Sequence, residues 1–494
     1  MARILLFLFL LISLSLSAQD GSVDTSFGNN GFAITDFFGG WDRGSSIGVQ
    51  EDGKIVVFGF VFLPNGGVAE GLVRYLPDGS LDTSFGTDGL VTTPAGDNYY
   101  EYFNSLHIQP DQKIITSTTF MGNGETDFSI VRYLPNGQLD SSFGDGGVVQ
   151  TNVGEDYLAA TILLPDGKIL AAGRAITGGK DNNMLLVRYL PDGSLDPSFG
   201  SGGILEEYIN DETLKVFPIK VQEDGKIIVP YFTVENFIPK IKVARYLPDG
   251  FLDVSFGSDG IVAIDFIGNL GYIATAIQND GKILHSYRRV GGDEFYIVRM
   301  LPDGSPDPTF GNDGSVEVHN PQFTPLKLLQ QEDDKVILFG ITYTFEPDNN
   351  LTYRFNLDGT MDTSFGNNGK VSLLFEGADI ALQENGKILI AGTTFFYNGD
   401  GVDFVVARLN NGLLQVPDYE MPSFTIYPNP SSGIFTIQQT IVPENRFYQI
   451  SDVMGRIIAS GELNESNLTI DLSKAQSGVY FLKTHTGTLR LVKN

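Results

Sequence analysis

Leu81-Asp82-Thr83-Ser84-Phe85-Gly86 occurs seven times in variant form, the other copies being Val23–Gly28, Leu139–Gly144, Leu195–Gly200, Leu252–Gly257, Pro306–Gly311 and Met361–Gly366. The Asp of each copy lies 54 to 58 residues from the next. A second marker, a Gln-x-Asp-Gly-Lys-like turn, ends at Lys54, Lys113, Lys168, Lys226, Lys282, Lys335 and Lys387. A third places one Arg at the end of an apolar run, just before Tyr-Leu-Pro-Asp-Gly or its variant: Arg74, Arg132, Arg188, Arg245, Arg299, Arg354 and Arg408. Three markers returning in one order define a tandem repeat.

The unit after Gly86 reads as four strands: Gly89–Thr93, Tyr102–Gln109, Ile114–Phe120 and Phe128–Tyr133. Asp-Gly between apolar runs is a hairpin signal, because Gly accepts the positive φ that a tight turn needs. Pro presets φ in Leu-Pro-Asp-Gly. Gln112 and Asp334 stand where the turn Gly belongs, so those two hairpins are expected to be less regular. One such sheet exposes apolar surface on both faces and must stack on neighbours. The expected fold is all-β, a seven-bladed β-propeller of four-stranded blades over residues 19–412. An open stack is the competing arrangement. Asp20–Gly28 is expected to dock on the last unit, which ends at Val405–Leu409, and close the circle.

These repeats resemble the delta-60 repeat family, whose units carry Leu-Asp-x-Ser-Phe-Gly-x-x-Gly and Asp-Gly-Lys segments. The resemblance covers about residues 20 to 412. It implies a propeller-like fold in exported bacterial proteins, and no settled activity. Beyond a linker at 413–421, residues 422–494 carry Tyr427-Pro-Asn-Pro430, Asp452-Val-Met-Gly455, Ile470-Asp-Leu-Ser473 and Gly478-Val-Tyr-Phe-Leu482. This resembles the C-terminal sorting domain of the type IX secretion system. The resemblance implies a small β-sandwich, handling by the type IX secretion machinery through residues 422–494, and passage across the outer membrane. Alternating apolar residues in Phe447–Ile450, Arg456–Ala459 and Val479–Lys483 agree with short strands. At the other end, Arg3 precedes the apolar run Ile4–Ile12 and a small-residue zone ending at Ala18. Residues 1–18 read as a signal peptide, cleaved near Ala18 or Gln19. No later segment has transmembrane length. A secreted or outer-membrane-surface protein is expected.

Net charge is −28, with no Cys and four His. A phosphate backbone is repelled by such a field, so no nucleic-acid partner is expected. The absence of Cys excludes disulfides, thiolate metal sites and a Cys nucleophile. Four His leave little material for a multi-His metal site. A catalytic site needs one arrangement rather than seven, so Asp82, Phe85, Gly86, Arg132, Asp140, Phe143 and Arg188 read as structural. Phe27, Phe85, Phe143, Phe199, Phe256 and Phe365 are placed as plugs between blades. The Arg is a candidate partner for the motif Asp of its own or the next unit. Hard oxygens in Asp-x-Ser-Phe-Gly make calcium the one cofactor considered; otherwise no cofactor, metal ligand or catalytic residue is assigned.

Antiparallel order puts the recurring Asp-Gly-Lys and Leu-Pro-Asp-Gly turns on one face and the variable loops on the other. Loops on a rigid scaffold carry recognition. The ligand-binding candidates are therefore Trp41, Tyr99, Tyr100, Tyr102, Arg288, Arg289, Asp400 and Asp403, aromatic or charged residues of those loops. The expected function is an exported binding or scaffold protein that adheres to a glycan or a surface protein. The alternative is a propeller enzyme, a lyase or glycosidase, acting on extracellular polysaccharide.

Overall fold

Ile55–Phe62 is buried along all but its last residue. Its alternate side chains leave in opposite directions: Ile55 and Val57 enter one apolar cluster, Val56 and Phe58 the next. A strand buried on both faces belongs to a sheet stacked on both sides. The computed structural model contains seven such sheets before residue 412. It describes residues 19–94, 98–99, 104–122, 125–176, 182–209, 213–235, 238–264, 269–290, 293–342, 350–394, 401–411, 424–439, 447–452, 456–462, 467–483 and 488–494. The signal-peptide and linker readings, together with Tyr100, Tyr102 and Asp400, lie outside the described residues.

The first blade has the spatial order Arg43–Val49, Ile55–Phe62, Val68–Tyr75 and Leu90–Pro94, all antiparallel. First strands of successive blades meet around a central channel. The repeat read from sequence is thus offset from the blade by one strand. Leu90–Pro94, the opening strand of the second unit, is the outermost strand of the first blade. The physical reason is that the turn Leu76–Gly79 joins Tyr75 directly to the following motif, and a short turn returns the chain to the same sheet.

The seventh blade has the order Phe32–Thr35, Phe404–Leu409, Ile388–Thr393 and Glu376–Leu382. Its outermost strand therefore comes from the N-terminal end, with Phe32 opposite Ala407 and Thr35 opposite Phe404. One turn of the repeat is split between the two ends. Asp20-Gly21-Ser22 matches Asp78-Gly79-Ser80, and Arg408-Leu409-Asn410-Asn411 matches Arg74-Tyr75-Leu76-Pro77. Gly21 N donates to Asn410 O at 2.6 Å and Asn410 N to Ser22 O at 2.8 Å. The ring is closed, and the docking expected of Asp20–Gly28 extends to Thr35.

The core lies between blades. Each of seven seam clusters contains one motif Phe: Phe27, Phe85, Phe143, Phe199, Phe256, Phe310 and Phe365. Gly86 must be glycine: its φ is +54°, and a Cβ there would lie 2.2 Å from Leu90 O. The hairpin at Gln112 is not less regular, contrary to expectation, whereas at Asp334 the turn bond to Gln331 O lengthens to 3.1 Å. Both residues take the left-handed φ of the missing glycine, 66° and 63°. Gln112 N still closes the turn on Gln109 O at 2.8 Å, against 2.9 Å for Gly53 N on Gln50 O. The paired strands on either side dictate the turn, and the backbone absorbs the strain.

Residues 424–494 form a separate compact unit. One sheet orders Phe424–Tyr427, Ile434–Gln439 and Asn467–Asp471; the other orders Ile457–Glu462, Phe447–Asp452, Gly478–Lys483 and Thr488–Lys493. Phe435, Ile437 and Ile470 from the first share one core with Ile450, Tyr480, Leu482 and Leu491 from the second, which makes it a β-sandwich.

Candidate functional site

The recurring charges are consumed in holding blades together. In each blade the Arg Nε donates to the motif Asp Oδ2 at 2.7–2.8 Å, from Arg74–Asp82 through Arg132–Asp140 and Arg188–Asp196 to Arg408–Asp24. The same guanidinium lies 4.4–4.7 Å over the motif Phe ring. In six of the seven its Nη1 donates to a backbone carbonyl of the following blade, such as Pro135 for Arg74, Pro191 for Arg132 and Pro248 for Arg188, while Arg354 Nη1 donates to Asn411 Oδ1. Six motif Asp also take the turn Lys at 2.5–3.5 Å; Lys54 instead pairs with Asp52. The other Asp oxygen accepts from the motif Ser or Thr, as in Ser198 Oγ to Asp196 Oδ1 at 2.7 Å. Burial alone would raise the carboxyl of Asp253. Hydrogen bonds from Ser255 and the charge of Arg245 outweigh it and hold the pKa at about 2.

The unrepeated polar residues lie elsewhere. A cavity of about 380 Å³ occupies the channel and is lined from all seven blades. Its lining includes the leading ends of first strands, Arg43–Ser46 and Glu376–Asp379, and the trailing ends of second strands at Ile341 and Thr393. It therefore sits at the end that carries the variable loops. Lys327 Nζ pairs with Asp379 Oδ1 at 2.5 Å, while Asp379 Oδ2 accepts from Ser46 Oγ at 2.9 Å and Ile47 N at 3.1 Å. That carboxylate is saturated. The ammonium of Lys220, facing the same cavity, has no ion pair or hydrogen bond among the described residues, although its backbone pairs with Ile228. Burial and the Lys327 charge lower its pKa to about 8, opposed by Asp379.

His107 Nε2 lies 2.9 Å from Thr161 O, which makes Nε2 its protonated nitrogen. Burial lowers the His107 pKa to about 4; the Thr161 bond opposes this and the charges of Lys327 and Lys220 add to it. The ring is neutral at physiological pH. Sequence reasoning passed over Lys220, Lys327, Asp379 and His107. Their only signal is a polar residue interrupting an apolar first strand, as in Ile219-Lys220-Val221.

Of the loop candidates, Trp41 and Asp403 come together. Trp41 is half-exposed and its backbone bridges Val402, beside Asp403. Asp36, Asp42 and Asp403 each bring a carboxylate oxygen within 4.8 Å of the others. Burial raises the pKa of Asp42 to about 6; the N–H groups of Phe37 and Phe62 oppose it, and Asp36 and Asp403 reinforce it. Burial and Asp36 raise Asp403. Arg288 lies on the fifth blade, where its Nη2 donates to Pro321 O. Arg289 follows it on the same strand, and Tyr99 pairs with Phe120 in the second blade.

The comparisons follow this division. The family model described as a domain of unknown function (DUF5122) beta-propeller matches seven segments: 50–85, 109–143, 164–199, 222–256, 278–310, 331–365 and 383–412. The secretion system C-terminal sorting domain matches 425–494. No curated protein matches significantly. Among solved structures, a catalytically inactive virginiamycin B lyase from Staphylococcus aureus with quinupristin is 13% identical, with a TM-score of 0.44, over 76% of this chain and 98% of that one. PorZ of Porphyromonas gingivalis, a surface component of the type IX secretion system, is 12% identical, with a TM-score of 0.33, over 94% and 75%. Among the described residues no helix is long and apolar enough to cross a membrane. The sorting domain marks the protein for secretion to the cell surface or beyond. The chain carries seven DUF5122 beta-propeller repeats and ends in a secretion system C-terminal sorting domain.

Proposed function

We propose that this is a surface-displayed binding protein, and that its ligand, a glycan or a protein, places an acidic group against Lys220 beneath the variable loops. The observation that carries the reading is the ammonium of Lys220, without an ion pair among the described residues in a cavity of about 380 Å³. A chain of net charge −28 that keeps such a cation inside its channel has a local field opposite to its overall one. A concave site with a few convergent polar groups is the usual form of a ligand pocket. The recurring Arg, Lys and Asp are occupied between blades, so they compete little for this role.

The test is a glycan array and a surface-protein pull-down with the intact chain, repeated with Lys220→Ala and Lys220→Glu. Binding of an acidic ligand that falls at least tenfold in both variants supports the reading. Equal binding by wild type and variants overturns it. Turnover of a polysaccharide by the wild type would put an enzyme in place of a binder.

A further inference from the structure

Asp42 occupies a position that the sixth and seventh blades fill with an apolar ring. Counting from the residue paired with the fourth position of the second strand, it corresponds to Phe323 and Phe375, both buried. Asp42 is itself fully buried, at 0% exposure. Its Oδ2 accepts from Phe37 N at 2.7 Å, whereas Oδ1 is buried with no hydrogen-bond partner among the described residues. The Phe62 N–H also approaches the carboxyl and opposes its raised pKa, without completing a hydrogen bond to Oδ1. A buried oxygen left unpartnered is costly, and a bound cation removes the cost.

The backbone around this carboxylate is fixed from both ends of the ring. Asp42 N donates to Val402 O at 2.7 Å, and Val402 N to Gly40 O at 3.2 Å. Thr394 holds Asp403, through Thr394 N to Asp403 O and Asp403 N to Thr394 Oγ1, both 2.9 Å. Asp36 Oδ1 accepts from Gly39 N at 2.5 Å. Asp36 and Asp42 flank the loop between the closing strand and the first blade, while Asp403 opens the third strand of the seventh.

We propose that Asp36, Asp42 and Asp403 form a calcium site that bridges the two ends of the propeller at its closing seam. Calcium takes hard oxygens at about 2.3–2.6 Å, so oxygens up to about 5 Å apart can share one ion. The three carboxylate oxygens here lie within 4.8 Å of one another. Three carboxylates also suit a divalent cation better than a proton or a lone ammonium. Carbonyls and water complete a coordination shell of this kind. Bound there, the ion ties the Asp36–Asp42 loop to the seventh blade and adds a metal link to the hydrogen bonds that close the ring. Asp156 sits at the corresponding position of the third blade and is also buried, with its Oδ1 unpartnered, but it belongs to no such three-acid cluster among the described residues.

The chain has a single Trp, and it precedes Asp42 in sequence. Terbium binding to the intact chain, read as emission sensitised through Trp41, is the test. The expected result is saturable emission at one ion per chain, displaced by calcium with a Kd of about 10⁻⁴–10⁻³ M. The Asp36→Asn, Asp403→Asn double variant keeps the buried Asp42 and loses the emission at least tenfold. Asp156→Asn retains it. Absence of saturable emission in the wild type, or its persistence in the double variant, overturns the site.

Discussion

Arg408 donates from Nε to Asp24 Oδ2 at 2.7 Å, across 384 residues of chain. The bond has the geometry of Arg188 to Asp196, 8 residues apart at 2.8 Å. One pair is therefore made seven times, six times locally and once between the ends. The seventh copy turns a linear array into a ring, because it carries the same ties as the others. Arg408 stacks on Phe27 and reaches Pro77 O on the first blade, as Arg188 stacks on Phe199 and reaches Pro248 O.

Removing one guanidinium breaks four contacts at once. Arg188→Ala leaves Asp196 with Lys168 at 3.2 Å as its one cationic partner beside the Ser198 hydrogen bonds, strips the face of Phe199, frees Pro248 O and removes the donor to Ser198 Oγ. Breaking a buried pair by deleting one partner costs about 3–5 kcal/mol. Urea unfolding of the variant is expected to show a loss of that order, and a change below about 1 kcal/mol would contradict a structural role for the pair. Phe143→Ala, at the seam of the second and third blades, is expected to cost ~3–5 kcal/mol by the same measurement.

The stability contributed by Glu70 and Asp156 is expected to fall as pH rises from 4 to 8, opposed below about pH 6.5 by the buried His107 and His285, whose folded pKa values are lowered to about 4 and about 3. Burial raises Glu70 from 4.5 to about 7, against hydrogen bonds from Tyr133 and Thr116. Burial also raises Asp156 from 3.8 to about 7; the Val153 N–H opposes this, and Asp127 and Glu206 reinforce it. Between the unfolded and folded values the native state binds more protons, so the slope of stability against pH is negative there. Glu70→Gln is expected to remove roughly 3 kcal/mol of that fall. Below this window the sign reverses. Asp253 and Asp307, held at about 2, contribute stability above their unfolded value of 3.8 that is lost as pH falls through 2. Chemical denaturation from pH 2 to pH 8 checks both limbs, and an equal pH profile for Glu70→Gln would contradict the first.

Gln112 pays for its turn. A non-glycine residue in the left-handed region costs about 1–2 kcal/mol, and glycine returns about 0.5–1 of this through the entropy of the unfolded chain. Gln112→Gly is expected to stabilise the propeller by about 0.5–1 kcal/mol, measured by denaturant midpoint, although Glu51 N loses its exposed bond to Gln112 Oε1. A destabilised variant would show that this contact outweighs the strain.

The parts of the fold legible in the sequence are those written seven times. Turn chemistry and apolar runs gave the sheets, and repetition gave their number. The assignment of Leu90–Pro94 to the first blade was not legible, because a repeat has no marked beginning and a half-buried strand reads alike at either edge. Among the site residues, Trp41 and Asp403 stood out by type, but nothing in the chain told that Asp403 would meet Asp36 and Asp42 from the other end. Lys220 and Lys327 are separated by a blade in sequence and share a cavity only because the ring closes.

Closure by the N-terminal segment is the claim on which the rest stands, and hydrogen exchange of the intact protein reads it directly. Asp24 N–H is bound to Arg408 O, Gly28 N–H to Asp78 O, and Phe32–Thr35 pairs with Phe404–Ala407. Peptides covering residues 20–35 should exchange as slowly as those covering the equivalent internal segment, 78–93. Exchange of 20–35 at free-chain rates, with 78–93 protected, would contradict a ring closed in this way.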